Sequence, residues 1–253
     1  MKRIIRILSS LLAVLLLLTT LSCFASATNN QTFTEAPQLY TYVRDGYNHG
    51  TLGPISITKG TLKNGSSSKT VYLVTLSGTE IALNQSTEII TDLLSGFNLE
   101  SAYYRNVVNT IVANVPKNAN LILAGHSLGG MIAQQVAANS TIKNRYNVLN
   151  TVCFGSPLLS AGSREGVVRR LGDISDPVPY LSGSLFNNTL WAILGLNREN
   201  GGYGPLGIHA HNLSYARSDV WGNYDVTGTK YGGAKLILDL DTRVFYQSPI
   251  IDW

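Results

Sequence analysis

The chain has 253 residues, 44% hydrophobic and 13% charged, with a formal net charge of +4. That length and hydrophobic share suffice for a sizeable buried core and exclude a disordered polyelectrolyte. The charge is local: Lys2, Arg3 and Arg6 are three of the 19 basic residues, which leaves 16 against 15 acidic ones, or +1, over the rest. No preference for nucleic acid or an anionic membrane surface follows from so small an excess.

Those three cations precede an apolar run, residues 7–21, interrupted only by Ser and Thr, and Ala25-Ser26-Ala27 then offers a small-x-small cleavage site. Residues 1–27 therefore read as a secretory signal peptide, and the protein as secreted. Two alternatives are an uncleaved signal acting as a membrane anchor, because the apolar stretch 4–21 approaches spanning length, and lipidation of Cys23. Against the second, Thr20 stands where a lipobox carries leucine. Cleavage leaves Cys153 as the remaining cysteine, which excludes an intramolecular disulfide. It lies in the strand-like stretch 150–154 and reads as a buried thiol. Residues 28–253 read as one domain; no repeat, zinc spacing or phosphate-cradling loop marks a second.

Residues 28–34 are polar and read as a tether, and 39–43 alternate weakly. Residues 54–58 and 69–76 read as strands joined by a turn-rich stretch containing Asn64-Gly65. The second is apolar at nearly every position, as a central strand buried on both faces would be. A short helix is expected over 86–94. Over 99–115, Tyr103, Val107, Val108, Ile111, Val112 and Val115 recur at helical spacing, ended by Pro116. Residues 120–124 form a strand and 128–139 a helix with small residues on its packing face. Strands follow over 150–154 and 167–171. Residues 190–196 read as a short buried helix, or as an apolar flap that meets acyl chains. Residues 235–246 supply an edge hairpin. Strands alternating with helices give an α/β fold: a mostly parallel central sheet flanked by helices, with antiparallel edge strands.

Between the strand at 120–124 and the helix at 128–139 lies Gly125-His126-Ser127-Leu128-Gly129, a G-x-S-x-G pentapeptide in its strand–turn–helix context. Side chains at Gly125 or Gly129 would collide with the adjoining strand and helix. His126, beside the serine, should point away from it as a packing residue. A serine hydroxyl is a poor nucleophile until an imidazole takes its proton, and the imidazole needs a carboxylate to hold its other N–H. The backbone N–H of Leu128 is placed to donate to a developing oxyanion. His49 reads as solvent-facing, which leaves His209 and His211; in an extended segment both would face one side. That pair also permits a metal reading, but no third ligand suggests itself. Asp173 and Asp176 compete as the acid, and for either the plain alternative is a solvated surface carboxylate.

These pieces in order resemble the class 3 (fungal-type) lipase family of the α/β-hydrolase superfamily: a buried strand ending in Gly78-Thr79, Asp92-Leu93 on the next helix, the pentapeptide, Phe154-Gly155-Ser156-Pro157, Asp176-Pro177-Val178-Pro179, and a late histidine followed by Tyr215. The resemblance spans about residues 71–215. It implies Ser127 as nucleophile, Asp176 as acid, His211 as base in preference to His209, and the backbone N–H of Thr79 beside that of Leu128 in the oxyanion hole. It implies a serine hydrolase cleaving carboxylic esters of lipids, a triacylglycerol or phospholipid lipase working at a lipid–water interface, with no cofactor, metal or obligate protein partner. A short-chain or feruloyl-type carboxylesterase is the alternative within hydrolases, and an inactive binding module the alternative outside them. In one respect the chain departs from the family. Asp176 follows Phe154 by only 22 positions, so a helix there is shortened or missing.

Overall fold

The computed structural model describes residues 29–48, 51–78, 102–160, 162–181, 192–193, 195–205 and 207–249. The expected signal peptide over 1–27, the helix expected over 86–94, Asp92, His49 and Thr79 lie outside them, as do Leu190, Trp191 and Leu194 of the expected segment 190–196, whose Leu196 opens a strand instead.

Nine strands among the described residues make one mixed sheet: β1 (Asn30–Phe33), β2 (Ile55–Asn64), β3 (Ser67–Leu76), β4 (Asn120–His126), β5 (Asn147–Phe154), β6 (Val167–Asp173), β7 (Leu196–Glu199), β8 (Lys235–Asp239) and β9 (Val244–Tyr246). Their order is β1-β8-β2-β3-β4-β5-β6-β7, and β9 pairs with the start of β2. From β3 to β7 every pairing is parallel. On the other side of β3 the pairings are antiparallel. The helices are α1 (Ala36–Arg44), α2 (Ala102–Asn114), α3 (Leu128–Ala138), α4 (Ser140–Arg145), α5 (Gly207–Leu213) and α6 (Ser218–Trp221).

Three local expectations are corrected. The tether contains β1, whose residues 30–33 pair with β8. Residues 39–43 belong to α1 rather than an alternating segment. Its buried Ala36, Leu39, Tyr40 and Val43 recur at helical spacing, and Gln38 accepts the Glu35 N–H at 3.1 Å at the helix start. The C-terminal stretch is not an edge hairpin: β8 lies between β1 and β2, and β9 pairs elsewhere on β2. No helix separates β5 from β6 among the described residues, which accounts for the short spacing before Asp176.

Side-chain alternation divides the core. Val74 and Leu76 on β3 and Leu121 and Leu123 on β4 face α2 and α3. Val71, Leu73, Ile122 and Ala124 face α1 and the segment containing Tyr215, Trp221 and Tyr224. Strands β3 to β7 run in sequence order across the sheet, and α2 and α3, from the β3–β4 and β4–β5 connections, pack on one face, as right-handed crossovers require. The other face carries α1 and, from the later chain, Tyr215, Trp221, Tyr224 and Val226. A side chain from that later segment can thus meet the strand ends from the face opposite α3.

Candidate active site

Parallel pairing brings the carboxyl ends of β3, β4, β5 and β6 to one end of the sheet, and with them Gly78, Ser127, Gly155 and Asp176. Crevices at such ends are where open α/β sheets place ligands.

Ser127 joins β4 to α3 at φ 55° and ψ −126°, a backbone conformation that a residue with a side chain adopts only under constraint. The constraint is visible. Its N–H donates to the Phe154 carbonyl at 3.0 Å, and its own carbonyl accepts from Gly130 N–H at 3.1 Å, Met131 N–H at 3.2 Å and Ser156 Oγ at 3.0 Å. A Cβ at Gly125 would meet the Gly129 carbonyl carbon at 2.5 Å, and one at Gly129 would meet the Leu76 carbonyl carbon at 2.5 Å. These glycines let β3, β4 and α3 close around the serine.

His211 lies on α5 with its side chain fully buried. Its Nδ1 is 2.9 Å from Asp176 Oδ2. Asp176 follows β6 at the start of the turn leading to residues 178–180, where Val178 N–H donates to Oδ1 at 3.0 Å and the Tyr215 hydroxyl to Oδ2 at 2.6 Å. A carboxylate only accepts, so the imidazole proton sits on Nδ1, and Nε2 presents a lone pair. Burial, and then the neighbouring Asp176, push the Tyr215 hydroxyl well above its usual range, so it keeps its proton and donates. Gly155, at φ 54°, runs beneath the pair; a Cβ there would lie 2.9 Å from Asp176 Oδ2 and 3.0 Å from His211 Nδ1.

Ser127 Oγ and His211 Nε2 are both buried, and neither has a hydrogen-bond partner among the described residues. Ser127 and His211 are therefore not bonded to one another here. They approach through their neighbours: the rings of His126 and His211 are 4.6 Å apart, and Ser127 is bonded to the strand end that continues into Gly155.

The rival residues separate. The segment carrying His209 and His211 is helical rather than extended, so positions two apart point about 200° away from each other; His211 is buried and His209 half-exposed. Asp173 is buried, not a surface carboxylate. It accepts from Ser175 N–H at 2.8 Å, Gly201 N–H at 2.9 Å and Ser214 Oγ at 2.6 Å, while the imidazole of His211 goes to Asp176. Leu128 opens α3, so its N–H has no intrahelical acceptor. Thr79 lies outside the described residues, but the preceding Gly78 passes Ser127 so closely that a Cβ would stand 3.0 Å from the serine Cβ.

Three supporting side chains, His126, Tyr47 and Arg170, were not legible as such. His126 is buried as expected, yet both ring nitrogens are bonded: Nδ1 to the Tyr47 hydroxyl at 2.7 Å and Nε2 to the His211 carbonyl at 3.0 Å. Tyr215 stands four residues beyond His211, one helical turn, a spacing that the sequence does show. Arg170, buried on β6, donates to the carbonyls of Ser156 at 3.0 Å, Ala192 at 2.8 Å and Pro179, and so ties three loops together. Nothing in the sequence around Tyr47 or Arg170 signals these contacts. Among the described residues no group of three or more His, Cys, Asp or Glu is arranged to hold a metal ion. Comparison of the chain with protein-family models, curated proteins and solved structures finds no match.

Proposed function

We propose that this protein is a serine hydrolase of carboxylic esters, acting through an acyl-enzyme on Ser127. The observation that carries the proposal is a pair of buried atoms without a hydrogen-bond partner among the described residues, Ser127 Oγ and His211 Nε2, the first on a constrained strand-to-helix turn and the second on an imidazole fixed by Asp176. Buried polar atoms ordinarily find partners, and a catalytic role is one physical reason for leaving one open. What singles out this pair from the other open atoms is that one is a hydroxyl on a strained turn and the other an imidazole nitrogen oriented by a carboxylate. Hydrogen bonds of this kind are often long without substrate and tighten when it binds.

In the proposed cycle His211 Nε2 takes the Ser127 proton as Oγ attacks the ester carbonyl, and returns it to the leaving alcohol as the tetrahedral intermediate collapses. Water, deprotonated by the same nitrogen, then releases the acid. Asp176 holds the tautomer and stabilises the imidazolium. The N–H groups of Leu128 and Thr79 are the proposed donors to the oxyanion; each such donor is worth about 10²–10³-fold in rate. Among esters we propose lipids, triacylglycerols or phospholipids, as the substrate class, on the strength of the ordered motifs from Gly78 to Tyr215.

A fluorophosphonate probe tests the chemistry: labelling of the wild type that disappears in Ser127→Ala supports it, and labelling retained in Ser127→Ala refutes it. Hydrolysis of p-nitrophenyl esters of increasing chain length then tests the substrate class. Preference for long acyl chains supports a lipase, whereas activity confined to short or feruloyl esters replaces that part of the proposal.

A further inference from the structure

The imidazole of His211 must be held on both sides, because α5 has only seven residues and a helix that short does not hold itself. Its side chain is held by Asp176. Its backbone is held by donors reaching the last carbonyls of the helix, which have no intrahelical partner. The Asn212 carbonyl accepts from the Tyr40 hydroxyl at 3.0 Å and from Arg44 Nη1 at 3.2 Å, both on α1. The His211 carbonyl accepts from His126 Nε2 at 3.0 Å.

A carbonyl oxygen can only accept, so His126 Nε2 carries a proton. On a neutral ring Nδ1 is then an acceptor, and the Tyr47 hydroxyl 2.7 Å away donates to it. The same hydroxyl oxygen accepts the Gly78 N–H at 2.8 Å. Gly78 leads into Thr79, and His126 immediately precedes Ser127. One run of hydrogen bonds thus begins at the proposed oxyanion loop, passes beside the serine and ends on the backbone of the base.

We propose that His126 is a positioning residue which, in its neutral Nε2–H form, couples Gly78 through Tyr47 to the His211 carbonyl and so fixes the imidazole of His211 relative to Ser127. This rests on the hydrolase proposal above. Packing alone does not account for the arrangement, since a phenyl ring would fill the same space between Tyr40 and His211 and make neither bond. The titratable and charged groups around the ring are Tyr40, Arg44 and Tyr47 on one side and His211 and Tyr215 on the other. Burial, and next the neighbouring His211, hold the His126 ring well below the usual histidine range. It therefore adds no second cation when His211 takes the serine proton.

Four variants separate the bonds. His126→Gln places an amide donor near the Nε2 position, His126→Asn keeps only an acceptor near Nδ1, His126→Phe keeps only the ring, and Tyr47→Phe removes the link to Gly78. Hydrolysis of a p-nitrophenyl ester should show His126→Phe and His126→Asn lowered about 10–100-fold in kcat, the cost of misplacing a catalytic group, with KM within about twofold. His126→Gln should recover most of the loss, and Tyr47→Phe should fall about 3–10-fold. Wild-type kcat in His126→Phe, or His126→Gln no better than His126→Phe, overturns the proposal. If His126→Phe does not fold, the comparison of His126→Gln with His126→Asn and Tyr47→Phe decides it. Histidine-selective 15N NMR reads the bonds without turnover: His126 should stay in the neutral Nε2–H form over about pH 6–8, where an ordinary histidine titrates, and an Nδ1–H form or a titration there overturns the proposal as well. Loss of turnover in Ser127→Ala alongside wild-type kcat in His126→Phe would sink the positioning role alone. Turnover retained in Ser127→Ala would sink the hydrolase proposal, and the NMR measurement then judges the hydrogen-bond run by itself.

Discussion

Replacing Tyr215 by Phe removes one oxygen and leaves its ring contacts with Tyr40, Phe154 and Trp221 in place. That oxygen donates to Asp176 Oδ2 at 2.6 Å and accepts the Asp173 N–H at 3.2 Å, all in a fully buried setting. A hydrogen bond to a charged group contributes about 1.5–3 kcal/mol, and a buried N–H left unpaired costs about 1–3 kcal/mol more. The relieved cost of burying the hydroxyl offsets part of this, about 1–2 kcal/mol, leaving a net loss of about 0.5–5 kcal/mol, centred on about 3 kcal/mol. Urea unfolding measures that loss directly, and the melting temperature should fall roughly 5–15 °C for a chain of this size. Activity should fall more modestly, about tenfold in kcat/KM, because Asp176 still accepts from Val178 and still holds His211. Asp176→Asn, which spoils the tautomer, should cost about 10⁴-fold. Unfolding of Tyr215→Phe within about 0.5 kcal/mol of the wild type would show that the hydroxyl does not make these buried bonds.

Gly129→Ala should destabilise the protein by about 3 kcal/mol or prevent folding, since its new methyl has only the backbone of Leu76 and Ser77 to push against; wild-type stability in urea would contradict the close approach of β3 and α3. Cys153 is fully buried and its thiol is pushed up to about 12 by that burial, so iodoacetamide near neutral pH should leave the folded protein unmodified and alkylate it only in denaturant. An unfolded chain takes up a proton at His126 below about pH 6.5, whereas the folded ring, its pKa depressed by burial, does not. Stability from this source is therefore complete above that pH and declines as the pH drops toward the folded value, by up to about 1.4 kcal/mol per pH unit. His126→Gln should remove that increment from the difference between urea curves at about pH 7 and 5.5; unchanged pH dependence would show that the ring titrates normally.

The strands from 69 to 171 and the turn around Ser127 were legible because their information is local: continuous apolar runs, a helical stripe and glycines at fixed offsets. Asp176 and His211 were preferred to Asp173 and His209 only as members of an ordered set. In the coordinates helical phase and burial set His211 apart from His209, and the bond from His211 sets Asp176 apart from the equally buried Asp173. The first helix was hidden because Leu39, Thr41 and Val43 mimic alternation when Ala36 and Tyr40 are read apart from them. Strand β8 looked like half of a hairpin because sequence proximity says nothing about a strand inserted between β1 and β2 from 200 positions away. The Tyr47–His126–His211 run has no sequence signature, as its members sit on three separate segments.

Strand β8 also sets a timetable. Asn30 pairs with Asp239, 209 positions later, so at about 5–20 residues per second of synthesis the opening strand stays without a neighbour for roughly 10–40 s. Until then one flank of β2 stands bare, a row of amides and carbonyls that another chain could zip onto. A ribosome stalled before codon 235 would release a polypeptide with its serine turn already encoded and its sheet unsealed, and such a product is the one to look for in aggregates.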